Sequence, residues 1–458
     1  MELRIVLVIR WIVFILFFLV GCAKIPQNKE LVQNLPIDFN NQKLIPIADF
    51  STLATPKEQL EIILQDENLS NLYAIGIANN LDLAIMQSRI LQAQSSLKMA
   101  FSELFPKVDG TISGSKNNTN YNFTSQVGAN LSWELDIFGK NRAASNSKES
   151  LYQKSIEDFK ATQITLLSDI TSMYFNLQEY ALNIKLTQEN IMHYMQVLEL
   201  TRLKVENGLL DSTEVFTKQD LLTNEQNTLE ALKMQFEETK NALLVLLNLK
   251  TLPLSFEKEF NFKEEFAFSY EKIPSNAILS RPDIRANIFL LHSQIYTKQS
   301  AFSSLFPILS LSGNVSEILQ GSQNVAWNLA SSLSAPLLNR TQLTQNYFLQ
   351  DAILKETYLN LQKTLDTAFF EIENALFNLK NMQLQMQNNK IRLNNAKEYF
   401  TFSLNRRSIG LIDELEFQEN YASYNNSKKS LNTSQNSQIQ ALIGLFKAMG
   451  GNLYIAKE

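Results

Sequence analysis

Few residues in this chain can do covalent, redox or metal chemistry. Among 458 residues there is one cysteine, Cys22, and there are two histidines, His193 and His292. One thiol cannot form a disulfide within the chain, and two distant histidines leave no ligand set for zinc, so both read as packed or surface residues. There is no phosphate loop, no dinucleotide fingerprint and no nucleophile–base pair, and the chain reads as a non-enzyme. Cys22 is the exception. It closes the string Leu19-Val20-Gly21-Cys22, which follows Arg4, Arg10 and a purely apolar run over residues 11–20. That run is about half the length of a membrane-spanning helix, so residues 1–21 read as an export signal peptide. The string matches a bacterial lipobox, in which the thiol is acylated and becomes the new N-terminus. Ala23 follows the cysteine where an Asp would direct retention at the inner membrane, which points to the outer membrane. No cofactor is expected beyond the covalent lipid on Cys22, and one lipid is a modest anchor.

The composition bounds what surrounds these residues. Hydrophobic residues make up 45% of the chain, enough for a large folded body. The net charge is −5, from 41 basic and 46 acidic residues, with no basic patch, so no nucleic-acid partner is expected. With 13 Gly and 10 Pro, long uninterrupted helices are favoured over a fold with many tight turns.

The chain repeats itself. Ala100-Phe101-Ser102-Glu103-Leu104-Phe105-Pro106 recurs as Ala301-Phe302-Ser303-Ser304-Leu305-Phe306-Pro307, with six of seven positions identical (Ala100 against Ala301). Asn80-Leu81-Asp82-Leu83 matches Arg281-Pro282-Asp283-Ile284, Gly139-Lys140 matches Asn339-Arg340, and Gly208-Leu209-Leu210-Asp211 matches Gly410-Leu411-Ile412-Asp413. So long a period means two whole subdomains rather than a short-repeat solenoid. We place repeat 1 at residues 57–250 and repeat 2 at residues 276–450. Residues 22–56, with four prolines, form a lipidated extended segment. The Phe-rich residues 251–275 form an equatorial connector packed around the helices, and 451–458 a tail. Asp82 and Asp283 read as capping or dipole residues at helix starts.

Each repeat holds one hairpin, at 107–135 and 307–337. Val127, Ala129, Leu131, Trp133 and Leu135 alternate with Gln126, Asn130, Ser132 and Glu134. Leu309, Leu311 and Val315 alternate with Ser310, Ser312, Asn314 and Ser316, and Val325, Trp327, Leu329, Leu333, Ala335 and Leu337 form the apolar face of the returning strand. Strands of this length can cross a bilayer at a tilt, and Trp133 and Trp327 belong at its interfaces. Four strands cannot close, and lipid offers no partner for an open edge. If the strands meet lipid, the chain must therefore oligomerise, a dimer giving eight strands and a trimer twelve.

Residues 141–207 and 341–408 contain neither Gly nor Pro and carry apolar residues at coiled-coil spacing. Each stretch would be roughly 100 Å long as a helix. Gly208 and Gly410 end these helices, and Asp211 with Glu214 and Asp413 with Glu416 have the spacing of capping boxes. Each repeat thus presents a helix–turn–helix tip, returning over about 212–249 and 414–449.

The lipobox, Asn80-Leu81-Asp82-Leu83, the Leu-Phe-Pro repeat, Ser132-Trp133-Glu134-Leu135-Asp136-Ile137-Phe138-Gly139-Lys140 and Arg281-Pro282-Asp283-Ile284 together resemble the TolC-like outer membrane factors, lipidated branch, over nearly the whole mature chain. The resemblance implies an α+β membrane protein. It implies a homotrimer whose twelve-stranded outer-membrane β-barrel continues as a coiled-coil periplasmic tunnel of twelve helices. It also implies passive efflux of drugs and other small molecules, with a periplasmic adaptor and an inner-membrane transporter as partners and outer membrane lipid around the barrel. A protein-secretion duct is the alternative within the family, and a lipid-tethered periplasmic coiled-coil structural protein the alternative outside it. By position, adaptor docking falls to Lys204, Gly208, Leu209, Arg406, Gly410 and Leu411. The family pattern has a basic residue four before each Gly, and Lys204 in place of Arg departs toward weaker bidentate contacts. The gate carboxylates fall at Glu214, Glu416 and Glu419, each forming a ring of three in a trimer. Helix capping is a competing reason for Glu214 and Glu416.

Overall fold

The structure, a computed structural model, describes residues 55–117, 120–252, 256, 275–318 and 325–453. The signal peptide and Cys22 lie outside the described residues, as do most of the extended segment and of the connector. In chain order the elements are α1 (Pro56–Leu64), α2 (Glu67–Asn79), α3 (Leu81–Ser102), β1 (Lys107–Asn117), β2 (Asn120–Leu135), α4 (Lys140–Glu206), α5 (Thr213–Leu247), α6 (Ser275–Ser280), α7 (Pro282–Ser303), β3 (Ile308–Ile318), β4 (Val325–Ser334), α8 (Arg340–Ser408) and α9 (Glu414–Ala448). The run α3–β1–β2–α4–α5 is repeated as α7–β3–β4–α8–α9.

The two hairpins join into one antiparallel sheet in the order β1-β2-β3-β4, so β1 and β4 are both edges. The register puts Val108, Leu131 and Leu329 on one face with Ile112, Val127, Leu311 and Val315, and puts Ser, Thr and Asn on the other. The apolar face is uncovered: Ile112 is 84% exposed and Leu329 62%. β4 ends at Ser334 rather than at 337. Pro336 has no N–H to give the ladder, so Ala335 and Leu337 fall outside the strand. Trp133 and Trp327 sit toward opposite ends of the sheet. The Trp133 indole N–H donates to the Leu104 carbonyl at 3.1 Å, and Trp327 is exposed.

α4 spans 67 residues and α8 spans 69, each roughly 100 Å long. Their continuity follows from the lack of any helix breaker. Their ends are set by Schellman turns: Leu209 N–H donates to Lys204 O and Leu411 N–H to Arg406 O, both at 2.8 Å. Gly208 and Gly410 take φ +69 and +75, a region that penalises any side chain.

The core lies at the equator, where α2 packs on α4 and α5 and α1 packs on α2. Leu60, Leu72, Tyr73, Leu167, Ile170, Leu243 and Leu247 are fully buried there. Phe256 of the connector packs on Tyr174 and Phe236 at 5.7 and 6.1 Å between ring centroids. The helix starts of the two repeats do matching work. Asn80 caps α3 and its amide donates to Leu246 O, at the end of α5. Arg281 donates to Ala448 O, at the end of α9, and to Asp283 and Glu371, each bond at 2.8 Å. Asp283 is thus one of the acceptors of a buried arginine.

The seam between α4 and α9 is polar along much of its length. Glu179 accepts from Thr433 and Asn436, Asn183 from Asn432, and Asn190 donates to Asn426 and Glu225. Lys429 of α9 closes the set on Glu225 of α5 at 2.6 Å. Buried polar contacts of this kind fix the register of coiled helices.

Candidate functional site at the helical tips

The two tips lie at the ends of antiparallel helix pairs, and the turns that shape them are the Schellman turns above. In each, the basic residue four before the glycine supplies the carbonyl that closes the turn. Lys204 and Arg406 are therefore at home in the turn through their backbones, and their side chains are free to pair elsewhere.

They pair differently. The Lys204 ammonium crosses from the first tip to the Asp413 carboxylate of the second. Arg406 stays within its own tip, 3.7 Å from Glu416. A second link between the tips runs from Lys218 of α5 to Glu419 of α9 at 2.7 Å. Arg407 pairs with Glu414 at 2.8 Å and lies 4.2 Å from the centre of the Phe417 ring. Glu416 and Glu419 thus each face a cation, while Glu214 has no cation within ion-pair distance among the described residues. Leu209 and Leu411 are exposed, at 71% and 65%.

The two helix starts also differ. Asp413 accepts from the Glu416 N–H at 2.9 Å, which is the N-cap half of the expected box. Asp211 does not cap. Its carboxylate is taken by the Thr213 N–H at 2.8 Å and the Thr213 hydroxyl at 2.5 Å. α5 therefore starts one residue later, behind Ser212, which makes no side-chain cap bond. The expected Asp211–Glu214 capping box is corrected accordingly, because a threonine two residues on competes for the same oxygen. Both aspartates are held below the ordinary carboxylate range. For Asp413 the causes are the Glu416 N–H and then Lys204; for Asp211, the Thr213 hydroxyl and N–H.

Reading the sequence locally missed Lys218, Arg407 and the part Asp413 plays toward Lys204. A usable signal was present: Lys204 and Asp413 both lie within about a turn of a tip glycine, with opposite charges. His193 touches Gln418 and the Tyr421 ring. His292 is half-buried, and that burial pushes its imidazole below its usual pKa. Among the described residues no group of three His, Cys, Asp or Glu side chains could hold a metal ion.

The family model for the outer membrane efflux protein matches residues 72–249 and 273–451, one match per repeat. The chain belongs to the outer membrane efflux protein family. Over 97% of its length it is 24% identical to the solvent efflux pump outer membrane protein SrpC of Pseudomonas putida, covering 98% of that protein. A pyoverdine export outer membrane protein, OpmQ of Pseudomonas aeruginosa, is 25% identical, with 84% of this chain and 85% of OpmQ covered. Among solved structures, the CmeC outer membrane channel of Campylobacter jejuni superposes with a TM-score of 0.75 at 24% identity, covering 93% of this chain and 95% of CmeC. VceC of Vibrio cholerae gives 0.73 at 18% identity, covering 87% and 99%. This outer membrane efflux protein is accordingly a passive channel component of the bacterial outer membrane and not an enzyme. Its α+β architecture is that of the TolC-like channels.

Proposed function

We propose that three copies of this chain form the exit duct of a tripartite efflux system, conducting small molecules passively from an inner-membrane transporter and a periplasmic adaptor to the outside. The observation that carries the reading is a sheet of four strands with an apolar face and two open edges. Such a sheet is stable in lipid only if β4 of one copy pairs with β1 of the next. Three copies give the twelve-stranded barrel of the family resemblance.

The helices carry a matching signal. Leu359, Phe370, Phe377, Leu384, Ile391 and Phe402 of α8 are all exposed, and they follow one another at intervals of seven or eleven residues (359, 370, 377, 384, 391, 402). That is the repeat of a coiled-coil seam with no partner in its own chain. Exposed Leu81, Ile85 and Met99 of α3 and Phe216, Met234 and Val245 of α5 offer a second apolar surface. A neighbouring copy would cover both.

Within the trimer, Cys22 carries the lipid that tethers the chain to the outer membrane. Lys204, Gly208, Leu209, Arg406, Gly410 and Leu411 receive the adaptor at the tips. Glu214, Glu416 and Glu419 form acidic rings at the closed end of the tunnel. Lys204–Asp413 and Lys218–Glu419 hold the two tips of each copy together until the adaptor docks. Native mass spectrometry of the detergent-purified chain tests the assembly: a trimer is expected, and a stable monomer would end the barrel reading. Deletion in a drug-exporting strain tests the function, with loss of resistance expected and its recovery on complementation.

A further inference from the structure

The register of the sheet brings four polar residues into one transverse row. Asp109 pairs with Asn130, Asn130 with Asn314, and Asn314 with Asn328. The row lies on the face opposite Val108, Val127, Val315 and Trp327, and all four of its residues are exposed. Directly opposite residues on paired strands have Cβ atoms about 5 Å apart, so the row is continuous across the sheet. The flanking rows are mostly small: Thr111, Gly128, Ser316 and Ala326 on one side, Ser132, Ser312 and Ala330 with Lys107 on the other. A Cβ on Gly128 would meet the Val315 carbonyl oxygen at 2.6 Å, so that recess cannot be filled.

Charge on this face is scarce. Lys107 is held by Glu103 at 2.7 Å and Glu134 by Lys140 at 2.6 Å. Asp109 is left as the charge on the polar face with no ion partner among the described residues. The sequence at 118–119 and 319–324 adds no charged residue.

We propose that Asp109, Asn130, Asn314 and Asn328 form a selectivity girdle in the barrel lumen, a level that filters cargo by width and hydrogen bonding and favours cations over anions. The inference rests on the trimeric barrel proposed above, in which the polar face lines the lumen. Nine carboxamides and three carboxylates, three rows of four, then stand out from a wall of glycine, alanine and hydroxyl side chains, with the Glu103-paired Lys107 in the adjoining row. Carboxamides offer donors and acceptors without charge, so uncharged and zwitterionic cargo passes by exchanging hydrogen bonds with water for bonds with the girdle. The three Asp109 carboxylates attract cations at the same level. The barrel is thus a second filter, in series with the helical tips.

The native chain has one thiol, Cys22, so an introduced cysteine is a clean reporter. The experiment labels Asn314→Cys on intact cells with a cationic and an anionic methanethiosulfonate reagent of similar size, the parent chain serving as blank. The ratio of the two rates cancels any change in thiol reactivity. At physiological ionic strength the cationic reagent is expected to react about threefold faster, with the preference growing as salt is lowered and vanishing in the Asp109→Asn background. Equal rates, a preference that survives Asp109→Asn, or no labelling of Asn314→Cys would overturn the girdle. Val315→Cys checks the barrel separately. It faces lipid in the barrel and should stay unlabelled; if it reacts while Asn314→Cys does not, the faces are reversed and the barrel reading itself fails. Asn314→Trp should lower export of bulky drugs severalfold more than export of small ones, with the trimer intact. An equal effect on both sizes would remove the role of width.

Discussion

At the second tip, Arg407 lies over the Phe417 ring and pairs with Glu414, Asp413 caps the following helix, and Arg406 sits near Glu416. At the same offsets from its own glycine, the first tip has Val205 for Arg407, Val215 for Phe417 and Ser212 for Glu414. Its aspartate is taken by Thr213, its Glu214 has no cation within ion-pair distance among the described residues, and Phe216 is 75% exposed. Duplication kept the backbone turn at both tips, because only the glycine turn fits the antiparallel helices. The side-chain brace was left free to diverge. The second tip pairs both its arginines with its own carboxylates and draws Lys204 and Lys218 from the first, which keeps apolar surface exposed.

That asymmetry can be attacked directly, and the turn glycines should give the largest effect. A β-branched residue at positive φ costs upward of about 1–2 kcal/mol. Gly410→Val should lower drug resistance at least tenfold while the trimer still forms, because the braced second tip cannot relax around the strain. Gly208→Val should act less severely. Failure of Gly410→Val to trimerise would mark that glycine as structural only, and equal losses in the two variants would erase the distinction between the tips.

Next in size is Asp413→Ala, which removes both a helix cap and the link to Lys204. A cap is worth about 1 kcal/mol, and closed-state conductance in planar bilayers should rise severalfold. Asp211→Ala loses only the bonds to Thr213 within its own tip and should leave it near the parent value. Comparable rises in both would show that the cap and the link do not hold the tip.

Acid probes the same residue without mutation. The Asp413 carboxyl is depressed in the folded state below its ordinary value of 3.8. Its contribution is therefore fully present above that value and is lost as pH falls through the lower, folded one. Conductance of the parent should rise below about pH 4, whereas Asp413→Asn should start from a raised value and rise by less across the same window. A parent that stays closed throughout would remove Asp413 from the closure.

The smallest effects belong to the acidic rings. Glu416→Gln with Glu419→Gln should raise closed-state conductance or reduce cation preference by a few-fold, and Glu214→Gln should change cation preference less than twofold. Unchanged conductance and selectivity in the double variant would remove the acidic gate.

Much of this was legible in the sequence, for identifiable reasons. The strands were readable because one face is apolar and the period is two. The long helices were readable because nothing interrupts them, and their ends because glycine at positive φ has few substitutes. What escaped was set by partners distant in sequence. Glu416 reads from the sequence as a capping residue and both Glu416 and Glu419 as gate candidates, yet Arg406 and Lys218 meet them only after the helices pair. The Arg-Pro-Asp string was visible as a family mark, but its arginine reaching Ala448 and Glu371 was not. The Asp211 cap failed on a local competition with Thr213, and β4 stopped early at Pro336. The Asp109 row could not be seen at all until the register aligned three strand pairs.

The unpaired borders of the sheet carry one more consequence. In the trimer proposed above, a solitary protomer has no finished form, so its folding free energy is inseparable from the concentration of its siblings. Substitutions far from the pore, along α8 or on the rims β1 and β4, will register as slow or aborted maturation after export. In cells they will look like scarcity of protein instead of a fault in conduction.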